Sequence, residues 1–161
     1  MWLIPSLILV LWRAGEGVAA PPEWDEIPLT SSAGTVQRLA DYRGRVVLVT
    51  FWSRGCVPCR DEWPVLAAAR ERWGSRGLVV LALNYERQIA PTELRHYAQR
   101  HHIQFPVLTA PPEDLARLAR GMGFIQFLPT SKILDRRGRV VHSLAGALTE
   151  SRLETLLAAL W

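Results

Sequence analysis

Cysteine is scarce in this chain: its 161 residues contain two, Cys56 and Cys59. A tetrahedral zinc site needs four ligands, and no second pair of closely spaced cysteines or histidines completes one. A disulfide scaffold uses several bridges that close long loops, whereas a bridge between residues three apart closes almost nothing. The two cysteines therefore indicate redox chemistry rather than structural support.

Lysine is scarcer still, with Lys132 as the single example, so the basic side of the formal charge of +4 is nearly all arginine. The sequence has no run of clustered basic residues, which argues against nucleic acid as a partner. It also lacks internal repeats and low-complexity tracts. Its length and its 49% hydrophobic and 21% charged residues predict one ordinary globular domain.

The N-terminal apolar run, residues 2–12, stays well short of the ~20 apolar residues that span a bilayer. Small residues follow it, and Val18 and Ala20 suit a signal-peptidase site, although no lysine or arginine precedes the run. We expect residues 1–20 to be a cleaved export signal or an N-terminal membrane anchor, with a buried N-terminal element as a third alternative. Residues 21–161 then form the domain.

Apolar patterning predicts an α/β fold. Residues 45–52 are β-branched, aromatic and nearly continuous in apolar character, which predicts a strand buried on both faces at the centre of a sheet. A second buried strand is predicted over residues 78–83, and Pro64 is expected to kink a helix over residues 59–73. Further helices are predicted over residues 91–102, 113–120 and 149–160. Short extended segments are predicted on either side of residues 30–35 and at residues 105–108. A hairpin is predicted from residues 130–134 and 139–144. This order predicts a mixed sheet with helices on both faces.

The CxxC motif at residues 56–59 follows the first buried strand and opens a helix. A helix N-terminus presents unpaired amides and a partial positive charge, which favour a thiolate at the first cysteine. With Arg54 and Arg60 nearby in sequence, we expect the pKa of Cys56 to fall from about 8.5 toward roughly 3.5 to 7.5. Cys56 is then the nucleophile, and the more buried Cys59 attacks it once a mixed disulfide with substrate has formed.

Residues 47–66 resemble the active-site segment of the TlpA/ResA-like branch of the thioredoxin superfamily. Residues 128–130, followed by residues 133–141, are similar to the second signature of that family, and the similarity runs from about residue 27 to the end. The resemblance implies a thioredoxin-like fold, in which a central mixed β-sheet is flanked by helices and carries an N-terminal β-hairpin extension. It also implies thiol-disulfide oxidoreductase activity, with no metal and no cofactor beyond the Cys56–Cys59 disulfide.

The resemblance also implies roles for matching residues. Pro129 matches a cis-proline that packs beside the CxxC motif and leaves the backbone of Leu128 free to pair with a substrate strand. Glu62 matches an acidic residue that tunes the cysteine pKa values or moves the proton of the second thiol. The alternative for Glu62, given equal weight, is a solvated carboxylate on an exposed helix face.

Four positions are expected to tune the redox properties. Thr50 stands where thioredoxin has a buried aspartate on the central strand, so the proton relay of general-purpose thioredoxins is not expected. Gly55 replaces the tryptophan that usually precedes the first cysteine, which opens the surface around Cys56. Val57 and Pro58 set the geometry of the motif and differ from the Gly-Pro of thioredoxin.

The family implies an extracytoplasmic protein, periplasmic or anchored facing the periplasm, that exchanges with protein thiols and disulfides. Reduction is the favoured direction, as in members that keep cysteines of apocytochrome c or of copper sites reduced, with electrons from a membrane thiol donor and a membrane association through the N-terminus. Alternatives are a metallochaperone that holds Cu(I) on two thiolates and a histidine, and a redox-inactive thioredoxin-like binding module. A peroxiredoxin is less favoured, because its peroxidatic cysteine needs no partner three residues on.

Overall fold

A seven-stranded mixed sheet organises residues 23–161, the part of the chain that this computed structural model describes. The expected export signal or anchor at residues 1–20 lies outside the described residues. The strands are β1 (Leu29–Ser31), β2 (Val36–Gln37), β3 (Val46–Trp52), β4 (Leu78–Asn84), β5 (Val107–Thr109), β6 (Thr130–Leu134) and β7 (Val140–Ala145). Their order across the sheet is β2-β1-β5-β4-β3-β6-β7, with β3, β4 and β5 parallel and the other neighbours antiparallel.

Strand β3 is buried along its whole length, as its continuous apolar run predicts. It lies between β4 and β6, so both of its edges are paired. The middle position of the sheet belongs to β4 rather than to β3, because β1 and β2 extend the sheet beyond β5. Phe51 of β3 pairs with Thr130 of β6, which brings the end of β3 and the start of β6 to the same edge of the sheet.

The helices are α1 (Val57–Asp61), α2 (Trp63–Trp73), α3 (Pro91–Arg100), α4 (Pro112–Gly121) and α5 (Glu150–Ala158). The helix predicted over residues 59–73 is divided between α1 and α2 at Glu62, two residues before Pro64, whose ring and missing N–H disfavour a continuous helix. The hydroxyl of Thr149 caps α5 by accepting the N–H of Arg152 at 3.4 Å. Among residues 23–161, no helix is long and apolar enough to cross a membrane.

Successive side chains of the strands point to opposite faces of the sheet and pack into two apolar cores, one on each face. Helices α1, α2, α3 and α5 cover the first core, and α4 covers the second together with short 3₁₀ turns at Glu23–Glu26 and Leu39–Tyr42. In the first core, the Trp52 ring packs edge-on against Trp63 at 5.2 Å and lies 4.8 Å from Tyr97, centroid to centroid. Cys59 belongs to the same core, so packed aromatic rings support the CxxC motif from within.

Candidate active site

Cys56 and Cys59 are joined by a disulfide at the start of α1. Cys56 is the N-cap residue, and its Sγ accepts the backbone N–H of Cys59 at 3.2 Å. Cys59 is fully buried, whereas Cys56 is partly exposed, which is the difference in access expected of a nucleophile and a resolving thiol. The same N–H would stabilise a thiolate on Cys56 after reduction of the bond.

The turn that joins β3 to α1 presents Cys56 to the solvent. The N–H of Cys56 donates to the carbonyl of Ser53 at 3.1 Å, which closes the turn. Pro58 lies in the first turn of α1, where a helix does not need its N–H. Gly55 is exposed, and a Cβ added there would meet no atom within 4 Å, so the surface beside Cys56 is open. Val57 is also exposed, with 52% of its surface accessible.

Two carboxylates compensate the charge of Arg54, which we expected from the sequence to lower the pKa of Cys56. Its guanidinium pairs with Glu86 at 3.1 Å and with Glu93 at 3.5 Å. Although burial acts to raise the pKa of Glu86, hydrogen bonds from Asn84 and Arg54 outweigh it and lower that pKa. Arg54 therefore adds little net positive charge beside a Cys56 thiolate, whereas the N–H of Cys59 at the start of α1 is placed to stabilise it.

The histidines do not assemble a metal site with the cysteines. Within residues 23–161, no group of three or more histidine, cysteine, aspartate or glutamate side chains is placed to hold a metal ion. His101 instead packs on Tyr97 with ring centroids 4.2 Å apart. Burial, followed by the charges of Arg60 and Arg100, lowers the pKa of His101. Burial and the nearby arginine charges therefore both disfavour the protonated form of His101.

Glu62 is buried at the junction of α1 and α2, with 1% of its surface exposed. The alternative of a solvated carboxylate on an exposed helix face is therefore wrong for Glu62, although Asp61 beside it is exposed. Oε1 of Glu62 accepts the Thr50 hydroxyl at 2.7 Å, and Oε2 accepts the N–H of Leu148 at 3.1 Å. Burial raises the pKa of Glu62 and outweighs these two donors.

The Leu128–Pro129 peptide bond is cis and immediately precedes β6. The carbonyl of Pro129 accepts the N–H of Gly146 at 2.9 Å. Among the described residues, Leu128 has no backbone hydrogen bond, and its side chain packs against both cores, including the one that Cys56 contacts. An unpaired backbone at this edge of the sheet can accept an extended segment from another chain.

Three features beside the site escaped the sequence analysis. Lys132 is 1% exposed, and its Nζ donates to the carbonyl of Gly123 at 2.7 Å and to Oγ of Ser143 at 2.6 Å. Phe124 and Phe127 are 69% and 67% exposed. The sequence held a signal that Lys132 is special, because it is the single lysine and stands in an alternating strand. Nothing in the local pattern indicates that Phe124 and Phe127 face the solvent.

The chain is similar to known proteins over most of its length. The model of the AhpC/TSA family matches residues 22–143. The thiol-disulfide oxidoreductase ResA of Geobacillus kaustophilus is 30% identical over 132 residues, which cover 82% of this chain and 72% of that protein. A thiol:disulfide interchange protein of the thioredoxin family from Chlorobium tepidum superposes with a TM-score of 0.64 at 26% identity, over 83% of this chain and 94% of that one.

A secreted thiol-disulfide isomerase from Corynebacterium glutamicum shares the fold, with a TM-score of 0.72 at 24% identity over 83% of this chain and 82% of the other. The mixed sheet with helices on both faces and the likeness to these structures confirm the predicted thioredoxin-like fold. The family match and the named relatives agree with the CxxC disulfide at the start of α1. The chain therefore belongs to the AhpC/TSA family, as a TlpA/ResA-like thiol-disulfide oxidoreductase of the thioredoxin superfamily.

Proposed function

We propose that this protein works outside the cytoplasm as a reductase of protein disulfides, with Cys56 as nucleophile and Cys59 as resolving thiol. The observation that carries the proposal is the arrangement of the pair. The Sγ of Cys56 is partly exposed and accepts an N–H at the start of a helix, while Cys59 is buried behind it. One sulfur is therefore accessible to a large substrate, and the other reaches only its neighbour.

The proposed reaction is two successive thiol-disulfide exchanges. The Cys56 thiolate attacks one sulfur of a client disulfide, a mixed disulfide forms, and the other client sulfur leaves as a thiolate. Cys59 then loses its proton and attacks Sγ of Cys56, which releases the second client thiolate and forms the Cys56–Cys59 disulfide. The client gains two electrons, takes up two protons and leaves as a dithiol. A donor dithiol later reduces the Cys56–Cys59 disulfide by the same two exchanges in reverse and becomes a disulfide itself.

We assign Glu62 the handling of the proton of Cys59. Burial raises the pKa of Glu62, which suits a carboxylate that takes up and returns a proton. Thr50 contributes to the tuning by holding one oxygen of Glu62. Gly55, Val57 and Pro58 act on the geometry and exposure of the motif.

Leu128 and Pro129 form the proposed substrate-binding segment, since the backbone of Leu128 is unpaired among the described residues and lies at the edge where β3 ends. A client would align there as an extended strand with its disulfide directed at Cys56. Main-chain pairing of this kind is independent of sequence, so it suits an enzyme with several protein clients.

The direction and location rest on similarity and on the N-terminal sequence. Reduction is favoured because the resemblance to the TlpA/ResA-like branch implies a protein that reduces client cysteines, of the cytochrome c or copper-site maturation type, with a membrane thiol donor. The likeness to a secreted isomerase and the apolar start of the chain support an extracytoplasmic location. Residues 1–20 then serve as export signal or membrane anchor, and residues 21–161 as the catalytic domain.

The reduction potential of the Cys56–Cys59 couple tests the direction. The oxidised protein is equilibrated with dithiothreitol buffers and the dithiol fraction is counted by alkylation. A potential of about −270 mV supports a reductase, whereas one of about −120 mV makes the protein an oxidant and overturns the direction. Stoichiometric Cu(I) uptake by the dithiol protein, with no reduction of insulin disulfides, would replace the proposal with a metallochaperone.

A further inference from the structure

Ser131 of β6 carries a buried hydroxyl without a partner. The residue is 0% exposed, and its Oγ makes no hydrogen bond to any group of residues 23–161. A buried polar group that has left water without gaining a new partner destabilises a fold, so each such group requires a physical explanation. One explanation is a partner that the group acquires in a second state of the site.

Thr50 is the cross-strand neighbour of Ser131. The two residues pair in the antiparallel ladder of β3 and β6, so their side chains share one face, and Cβ atoms in such pairs lie roughly 4.5–5.5 Å apart. At that separation, rotation of the Ser131 side chain brings the two hydroxyls within hydrogen-bond distance. On its other side, Ser131 pairs with Leu144 of β7, which has no polar side chain to offer. The hydroxyl of Thr50 is therefore the partner that the sheet places beside Ser131.

The two donors to Glu62 fix where its proton rests. An ionised carboxylate only accepts, and here Oε1 accepts the Thr50 hydroxyl and Oε2 accepts the N–H of Leu148. A protonated carboxyl has one O–H, which needs an acceptor. The N–H of Leu148 can only donate, whereas a hydroxyl can donate and accept. The proton of Glu62 therefore comes to rest on Oε1, which then donates to Oγ1 of Thr50.

Thr50 must then turn its own hydrogen away from Glu62. The backbone of β3 offers it little, because ladders with β4 and β6 pair both edges of that strand. Oγ of Ser131 has free lone pairs on the same face. An acceptor that is unused while Glu62 is ionised is thus available when Glu62 is protonated.

We propose that Ser131 is a positioning residue that accepts the Thr50 hydroxyl when Glu62 is protonated, and so stabilises the form of Glu62 that holds the proton of Cys59. This role rests on the proposed exchange at the Cys56–Cys59 pair. In the step concerned, the S–H bond of Cys59 breaks and an O–H bond forms at Oε1 of Glu62. Thr50 keeps its own proton, and only the direction of its hydrogen bond changes.

Charged side chains do not set the protonation of Glu62. Burial raises its pKa, and the hydrogen bonds from Thr50 and Leu148 act against that rise. His142 of β7 is half-buried and pairs with Ile133, two positions beyond Ser131. The other titratable side chains on the surrounding elements are exposed or, for the lysine, on the opposite face of β6: Arg60 and Asp61 on α1, Arg70 on α2, Glu150 on α5, and Lys132.

The sign of a titration shift tests the proposal. The carboxyl carbon of Glu62 is followed by NMR through a pH titration of the oxidised full chain. S131A removes the acceptor that only the protonated form uses, so its Glu62 is expected to titrate at lower pH than in the wild type. A role of Ser131 in packing alone predicts no shift, or a shift to higher pH, because alanine makes the surroundings more apolar.

Two further variants isolate the hydrogen bond. S131T keeps a hydroxyl at this position and is expected to titrate close to the wild type. T50V/S131A is expected to titrate like T50V alone, because without the Thr50 hydroxyl there is nothing for Ser131 to accept. Equal titration of S131A and wild type, a shift of S131A to higher pH, or full additivity of the two substitutions would overturn the role of Ser131.

The kinetics of exchange connect the titration to the reaction. The reduced protein is mixed with an aromatic disulfide that releases one coloured thiolate when Cys56 attacks and a second when Cys59 resolves the mixed disulfide. S131A is expected to keep the first rate and to slow the second about two- to tenfold at pH 7, the size of one hydrogen bond. An unchanged second rate would overturn the role of Ser131 while leaving the exchange standing. A wild-type protein that released neither thiolate would overturn the exchange function itself, and the role of Ser131 in it.

Discussion

The hydroxyl of Thr50 donates a 2.7 Å hydrogen bond to Oε1 of Glu62, and both residues are at most 1% exposed. The bond joins the last part of β3 to the junction of α1 and α2, three residues beyond Cys59. Where thioredoxin has a strand aspartate, this protein therefore has a neutral donor on the strand and an ionisable carboxyl on the helix. The ionisable group of this contact is thus on the helix side.

Replacing Thr50 by valine is expected to raise the pKa of Glu62 further, because the ionised carboxylate loses a donor while its burial persists. The free energy of unfolding is expected to fall by about 1–3 kcal/mol, since Oε1 loses its partner in a buried position. The carboxyl carbon of Glu62, followed by NMR through a pH titration, and urea unfolding measure the two effects. T50S keeps the hydroxyl and is expected to titrate like the wild type; a valine variant that did the same would show that the bond does not control the pKa.

The pH dependence of stability offers a second test of Glu62. Burial raises the folded pKa of Glu62 above its ordinary value of 4.5, so between these two pH values the folded chain binds more protons than the unfolded chain. The free energy of unfolding must then decrease as the pH rises from about 4.5 through the folded pKa. E62Q does not titrate and is expected to lack this decrease in urea unfolding between pH 4 and pH 8. E71Q removes an exposed carboxylate and serves as control; parallel curves for E62Q and wild type would contradict the assignment.

Replacing Cys59 by serine is expected to accumulate mixed disulfides between Cys56 and its clients, because the thiol that releases them is missing. Non-reducing gels of the variant expressed in its native compartment should show high-molecular-weight species that dithiothreitol dissolves. C56S retains only the buried thiol of Cys59, which clients do not reach, so this variant is expected to trap nothing. An empty C59S trap, or an equal yield from the two variants, would contradict the roles given to the pair.

Glu86 is expected to weaken the stabilisation of a Cys56 thiolate, because it neutralises the charge of Arg54. E86Q leaves Arg54 with less compensating charge beside the CxxC loop, so the thiolate of Cys56 in the reduced protein is expected to be favoured and its alkylation profile to move to lower pH. The rate of alkylation by iodoacetamide as a function of pH measures the thiolate fraction. E71Q changes the net charge equally on the far part of α2 and should leave the profile in place; a shift of the same size there would assign the effect to net charge alone.

The sequence alone could predict the elements whose determinants are local. The continuous apolar run of β3, the turn residues between β6 and β7, and the CxxC spacing at a strand-to-helix junction each carry their signal within a few residues. Pro64 likewise indicated the interruption of the first long helix. The more buried position of Cys59 followed from its place in the first turn of α1.

Partners that are distant in the chain could not be predicted. Glu62 is buried because it meets Thr50 and an N–H 86 residues further along, and its local pattern fits an exposed helix face equally well. Arg54 is compensated by a carboxylate 32 residues away on another segment. Lys132 is buried because the carbonyl of Gly123 in one loop and the hydroxyl of Ser143 on β7 both accept hydrogen bonds from its Nζ. Each of these facts depends on how the sheet assembles rather than on neighbouring residues.

One of the two donors to Glu62 is the main-chain amide of Leu148. Every amino acid except proline supplies that group, so the contact survives almost any mutation at position 148 that the surrounding core tolerates. Of the two hydrogen bonds to the Glu62 carboxyl group, one thus depends on the course of the backbone at residue 148 and the other on the side chain of residue 50. Relatives are expected to exchange one apolar residue for another at position 148 without losing this contact, whereas a change at position 50 that removes the hydroxyl also removes its hydrogen bond to Glu62.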